Sequence, residues 1–294
     1  MRLNWPYEGA APPAADAARF SQPASNICLD FHGNPHVAPL VVFSDGNHHM
    51  ALAEALALFR SRHTQINDIF YATTPPRVIM EVLKSGALLL GNLTLSMKPH
   101  VFISPGPVLQ RLRRDGYVQE DASFAASRGN VLLVRKGNPK RIAGAADLAR
   151  EEVRIFLSNP VTETVSYEVY STTLRRISAR DGLNFDFLDP APGVLPRMVY
   201  GDCIHHREAP QALADDRADV AVIFYHLALR YTRIFPSLFE IVTLTEDDDP
   251  AQVISTLHVG VVGDGGEWGG RLREFMLSDE VAAVYRHHGL ASVR

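Results

Sequence analysis

The chain has 294 residues, 46% of them hydrophobic and 21% charged, with a formal net charge of −4. That length suits one large domain or two ordinary ones, and the composition is that of an ordinary soluble globule. The negative balance argues against a nucleic-acid partner, which asks for a basic patch, and no apolar run approaches the roughly 18 residues of a membrane span.

The chain begins with an Ala/Pro-rich stretch through Pro23. It lacks the apolar run of a secretory signal as it stands. Two readings follow: a cytoplasmic protein, or a signal that lies upstream of this start. Residues 1–36 are expected to form a poorly structured or loosely docked arm. The two cysteines, Cys28 and Cys203, make no disulfide framework; one bridge is allowed, and two buried thiols suit them better.

From Pro39 onward strand and helix signals alternate. Leu40–Phe43 reads as a strand, followed by the turn Ser44–Asn47 and a helix marked by Met50, Ala53, Leu56 and Phe59. Ile69–Tyr71 reads as the next strand. Thr73, Thr74 and the pair Pro75–Pro76 then lead into a helix that stops at Gly86. Val101–Ile103 is a strand, and a short helix over Val108–Asp115 ends at Gly116. A second series starts at Asn130 with the strand Val131–Val134 and a short helix over Ala145–Arg150. Val153–Leu157 then feeds the longest helix, Glu163–Arg180, closed by Gly182. A helix over Glu208–Asp215 precedes Val220–Phe224, an apolar run suited to a strand buried on both faces. The tail returns with a strand over Ile254–Val262, a turn at Asp264–Gly266 and C-terminal helices. This is the pattern of parallel sheets with crossover helices.

Three strand ends carry polar turns that run straight into helices: Ser44–Asn47, Thr73–Thr74 and Ser158–Thr162. Helix starts expose unsatisfied N–H groups and a partial positive charge, so they receive small anions without Lys or Arg. Ser44, Asn47, Thr73, Thr74, Ser158, Asn159, Val161, Thr162, His205 and Tyr225 are the candidate ligand-binding residues. Each has a plainer reading, as a helix cap for the hydroxyl and amide side chains and as a core ring for Tyr225. His48, His49, His205, His206 and His226 form an alternative set, because converging imidazoles suit Zn, Cu, Ni or Fe; surface or cap positions are their bland reading. No G-x-S-x-G, G-x-x-x-x-G-K-[ST] or H-E-x-x-H pattern occurs, so no enzyme class and no cofactor is indicated.

The order of elements resembles the type II periplasmic solute-binding proteins, and among them the molybdate/tungstate-binding branch. The similarity is carried by Phe43–Asn47, Tyr71–Thr74, Gly129–Val134, Ile155–Pro160, Ala218–Tyr225 and Phe275–Leu290, and covers roughly Pro39–Leu290. It implies an α/β fold of two lobes, each a mostly parallel sheet flanked by helices, with a ligand cleft between the lobes. Residues 37–127 plus 246–294 would form lobe 1 and 128–245 lobe 2. The implied function is non-catalytic binding of a molybdate- or tungstate-like oxyanion by an extracytoplasmic monomer, which hands it to an ABC importer. The alternatives are a transition-metal receptor on the same scaffold, and a cytoplasmic anion sensor or scavenger.

Overall fold

Strands of this chain alternate between two apolar faces. In the first strands of the chain, Leu40 and Val42 pack with Val101 and Ile103 on one side, while Val41 and Phe43 pack with Phe102 on the other. Side chains on a strand point alternately to opposite faces, so a continuous apolar run marks burial on both. The computed structural model describes residues 30–74, 76–90, 93–189, 197–202, 204–246 and 248–293. Cys28, Cys203 and residues 1–29 of the expected arm lie outside the described residues.

The described residues divide into two compact units, 30–126 with 255–293, and 127–254. The first contains β1 (Phe31–His32), β2 (Leu40–Ser44), α1 (His49–Arg62), β3 (Ile69–Thr73), α2 (Pro76–Ser85), the hairpin β4 (Ala87–Leu90) and β5 (Leu93–Ser96), β6 (Val101–Pro105), α3 (Gly106–Arg114) and β7 (Val118–Ala126). The second unit contains β8 (Asn130–Arg135), β9 (Ile155–Leu157), α4 (Thr164–Asp181), β10 (Met198–Tyr200), α5 (His205–Ala214), β11 (Val220–Phe224), α6 (Tyr225–Ile234) and β12 (Phe239–Thr243). The chain then completes the first unit with β13 (Thr256–Val262), α7 (Gly266–Met276), α8 (Asp279–His287) and β14 (Ala291–Ser292).

The first unit's main sheet has the order β1-β3-β2-β6-β13-β7-β14, and the second unit's sheet the order β10-β9-β11-β8-β12. Both are mixed rather than mostly parallel. The runs β3-β2-β6 and β10-β9-β11 are parallel. The strands where the chain leaves and re-enters a unit, β7, β13, β8 and β12, pair antiparallel. A crossover helix permits parallel pairing; a strand that continues from another unit carries no such constraint. β13 also needs Gly260, because a Cβ there would lie 2.6 Å from Val118 Cγ1 and 3.0 Å from Leu109 Cδ1.

The second unit's ends are fastened together. Gln252 accepts the Asn130 N–H at 2.8 Å and donates to the Asn130 carbonyl at 2.9 Å. Asn130 in turn donates to Thr173 on α4 at 2.8 Å. On the other side of the junction, Ala126 of β7 pairs with Thr256 of β13.

The helix expected over Glu208–Asp215 starts three residues earlier and keeps Pro210 inside it. Proline has no N–H to give to the carbonyl four residues back, which is that of His206. The buried Tyr231 on α6 donates its hydroxyl to this His206 carbonyl. Tyr231→Phe is therefore expected to destabilise the protein by about 0.5–1.5 kcal/mol, the net worth of one hydrogen bond. Adding Pro210→Ala should return part of that loss by supplying an N–H. Urea unfolding of the two single variants and the double variant measures both effects; a double variant no more stable than Tyr231→Phe alone would refute the pairing.

Candidate functional site

In the first unit the three parallel strands end side by side in polar residues. Ser44 of β2 is in register with Thr73 of β3 and Ile103 of β6. The buried strand interior leaves no room for polar side chains, so they gather at the carboxyl ends, where open α/β sheets take their ligands. Ser44 is completely buried; it donates its hydroxyl to the Asp45 carbonyl and lies 3.0 Å from His48 Nε2. Since the Ser44 proton is spent on that carbonyl, His48 Nε2 carries a proton and donates. His48 Nδ1 then accepts from the Tyr285 hydroxyl at 2.8 Å. Burial, reinforced by the Asp45 charge, holds the Tyr285 hydroxyl well above its ordinary pKa, so it keeps its proton.

Asp45 is buried beside this relay, with His48 Nε2 3.2 Å from Oδ1. Neither carboxyl oxygen accepts a hydrogen bond from a described residue. Asn47 is half-buried, and His49 bonds through Nδ1 to the Gly46 carbonyl at 2.9 Å. Helix α1 begins without a side-chain cap. Thr73 donates to Asp30 Oδ2 at 2.6 Å, and Thr74 accepts the Asp30 N–H at 3.2 Å. Both threonines thus hold the segment leading into β1. Ser104 at the end of β6 is completely buried, its hydroxyl without a hydrogen-bond partner, and α3 starts next to it with no side-chain cap.

In the second unit Ser158 directly follows β9, fully buried and with an unpartnered hydroxyl. Asn159 Oδ1 accepts the N–H groups of Val161 and Thr162 at 2.9 and 3.3 Å. Those two donors, expected to be free, are occupied because an Asx side chain bonds its own backbone two residues on. Glu163 follows and accepts the His205 N–H at 2.9 Å, so its carboxyl covers the start of α5. Burial pushes Glu163 up to about 7, with the Glu208 charge adding to it. His205 is wholly buried, its ring stacked on Phe156 at 5.2 Å and tilted against Tyr170. Burial holds its imidazole down to about 3, so it is neutral. His206 is buried on the same turn, and His226 is buried and stacked on Phe224. Tyr225 opens α6 rather than ending β11; its N–H donates to the Gly129 carbonyl, and the Arg128 guanidinium lies 4.8 Å from its ring centre.

Among the described residues no three His, Cys, Asp or Glu side chains gather as a metal site. Nor is any helix among them long and apolar enough to cross a membrane. A family model described as bacterial extracellular solute-binding protein matches residues 40–291. The chain belongs to this family. No curated protein matches the solute-binding protein's sequence at a significant level. Its fold is that of type II periplasmic solute-binding proteins. The periplasmic molybdate-binding protein of Azotobacter vinelandii aligns at 14% identity over 86% of this chain and 98% of its own, with a TM-score of 0.62. A sulfate-binding protein of Mycobacterium tuberculosis aligns at 15% over 86% of each chain, TM-score 0.61. A ferric binding protein of Campylobacter jejuni aligns at 15% over 87% of this chain and 86% of its own, TM-score 0.57.

Sequence reasoning passed over Asp45, Ser104, Glu163 and Tyr285. Ser104 carried a usable signal: Ile103–Ser104–Pro105–Gly106 repeats the strand-turn-helix pattern of the other loops. Tyr285 carried none, being remote in sequence from the His48 it meets. Glu163 gives the solute-binding protein a pH-dependent stability. Below about 4.5, its ordinary value, the carboxyl is protonated whether folded or not. As pH rises toward about 7 the unfolded chain ionises first, so the folded state loses stability; the loss is complete above the folded value. Against Glu163→Gln, urea midpoints should show the variant's advantage growing from pH 4.5 to 7 and level above it; a constant difference would refute the assignment.

Proposed function

We propose that this solute-binding protein captures a small tetrahedral oxyanion without chemical change, outside the cytoplasm, as a monomer that delivers it to an ABC-type permease. The observation that carries the reading is the pairing of buried, unpartnered serine hydroxyls with strand-to-helix turns: Ser158 before α4, and Ser104 before an α3 that has no side-chain cap. An uncapped start also follows Ser44 at α1. Such turns offer neutral donors and a positive dipole end, which is what a small anion needs. Ser44, Thr73, Thr74 and Tyr225 complete the proposed set, the first three by turning hydroxyls now bonded within the protein. Molybdate and sulfate, named for two of the similar structures, are tetrahedral oxyanions.

Iron is named for a third, and a metal receptor using histidines is the rival. It has less support from the side chains: both nitrogens of His48 are engaged, and His205 is enclosed by aromatic rings.

Thermal unfolding of metal-stripped protein with phosphate, sulfate, molybdate and tungstate, and separately with Zn²⁺ or Ni²⁺, tests the reading. Ligand at 1,000 times its dissociation constant stabilises by about 4 kcal/mol and should raise the midpoint by several degrees. At least one oxyanion is expected to do so, and the cations are not; a shift with cations alone would overturn the proposal. Ser158→Ala should leave the ligand-free midpoint unchanged or raise it slightly, because it removes a buried hydroxyl that bonds nothing there. It should weaken oxyanion binding about ten- to a hundredfold, the value of one hydrogen bond to a charged group.

A further inference from the structure

Helix α3 starts against an imidazole. A Cβ on Gly106, its first residue, would lie 2.9 Å from His258 Nε2, so the glycine makes room for the ring. His258 of β13 is the partner of Ser104 on β6, and residues paired directly across two strands project on the same face of the sheet. That is the face α3 covers, because two residues beyond His258 a Cβ at Gly260 would meet Leu109 of α3 at 3.0 Å. His258, the buried and unpartnered Ser104 hydroxyl and the uncapped start of α3 therefore share one corner at the carboxyl end of β6. The His258 side chain is 18% exposed, so a ligand can reach it.

The ring is held in one orientation. His258 Nδ1 lies 2.6 Å from Asp121 Oδ2 on β7. A carboxylate offers acceptor sites alone, so Nδ1 carries the proton of this bond. Arg113 on α3 donates to the other oxygen, Asp121 Oδ1, at 3.3 Å. Asp121 and Arg113 are the charged groups that face His258 from β7 and α3; β6 brings Ser104 and no charged residue. Glu120 of β7 and Arg273 of α7 pair with each other on the opposite face. With Nδ1 committed, a neutral imidazole keeps Nε2 as an acceptor, and the Thr256 hydroxyl lies 3.3 Å from it and donates. An oxyanion brings further acceptors, so Nε2 can bond it only after gaining a proton. The negative charges of Asp121 and of the anion both favour that imidazolium.

We propose that His258, oriented by Asp121, is the cationic group of the oxyanion site and takes up a proton from solvent as the anion docks. Its Nε2 then donates to the ligand, with the Ser104 hydroxyl and the start of α3 donating beside it. This rests on the oxyanion reading above and adds to it a residue and a proton. A dianion so bound adds a single net negative charge to the protein. Capture is tighter at lower pH, and the ligand is let go as pH rises.

Calorimetric titration of the intact protein with sulfate and with molybdate tests this, since neither anion changes its own protonation near neutral pH. Enthalpies measured in HEPES and in Tris give the number of protons exchanged. Net uptake is expected, and affinity should fall between about pH 6 and pH 8, by up to about tenfold per pH unit, the limit for one linked proton. His258→Gln should abolish both the uptake and the pH dependence, whereas Glu163→Gln should keep them. Asp121→Asn, which removes the charge behind the ring, should lose several-fold in affinity at neutral pH and recover most of it as pH is lowered. Binding with no proton uptake and equal affinity across this range overturns the assignment and leaves the oxyanion reading standing. Uptake that persists in His258→Gln, or vanishes in Glu163→Gln, overturns it as well. Failure of phosphate, sulfate, molybdate and tungstate all to bind, even at the acid end, removes the oxyanion reading itself. Should His258→Gln lose its far-ultraviolet circular dichroism, the proton count on the unaltered protein and the Asp121→Asn profile decide the matter.

Discussion

A strand covered on both faces has no place for a polar side chain except at its ends, and this constraint organises the whole first unit. β2 is apolar from Leu40 to Phe43 and turns polar at Ser44 and Asp45. β3 does the same at Thr73 and β6 at Ser104. Because β3, β2 and β6 run parallel and in register, their polar ends fall together rather than scattering over the surface. The chemistry of the site follows from where the apolar run of each strand stops. The helices that leave these ends then add their dipoles to the same edge.

The buried polar groups differ in how they are satisfied, and that difference separates structure from function. Thr73 and Thr74 are committed to Asp30, and His48 is committed to Ser44 and Tyr285. In the second unit Glu163 closes the start of α5, and Tyr231 replaces the N–H that Pro210 lacks. These are complete arrangements that fix the loops in place. The hydroxyls of Ser104 and Ser158 are incomplete, and both sit where strands give way to helices.

The sequence displayed the fully buried strands and the long helices clearly, since a run such as Val220–Phe224 or the stripe Tyr170, Leu174, Ile177 has few other uses. It hid β7, whose residues Val118–Ala126 include Gln119, Glu120 and Asp121 on a half-exposed stretch, and β10, which has three residues. It also hid the mixed pairing, because strand direction depends on connections that cross between units. For the site, the turns were legible but their bonding was not. The residue type of Thr73 is the same whether its hydroxyl faces a ligand or Asp30, and only the position of a residue 43 places away in sequence decides. His205 likewise read as a ligand by type, while its neighbours Phe156 and Tyr170 make it a neutral part of an aromatic stack.

The double bond between Gln252 and the Asn130 backbone bears on how such a chain reaches its native state. The second unit interrupts the first, and a long interruption adds closure entropy to the strands on either side of it. Once the unit has formed, however, its own entry and exit are pinned to each other, so β7 and β13 are joined by what amounts to a short tether. The first unit can then assemble nearly as if it were continuous in sequence. The order this favours is inner before outer: the segment in the middle of the chain folds first and brings the two parts of its host together.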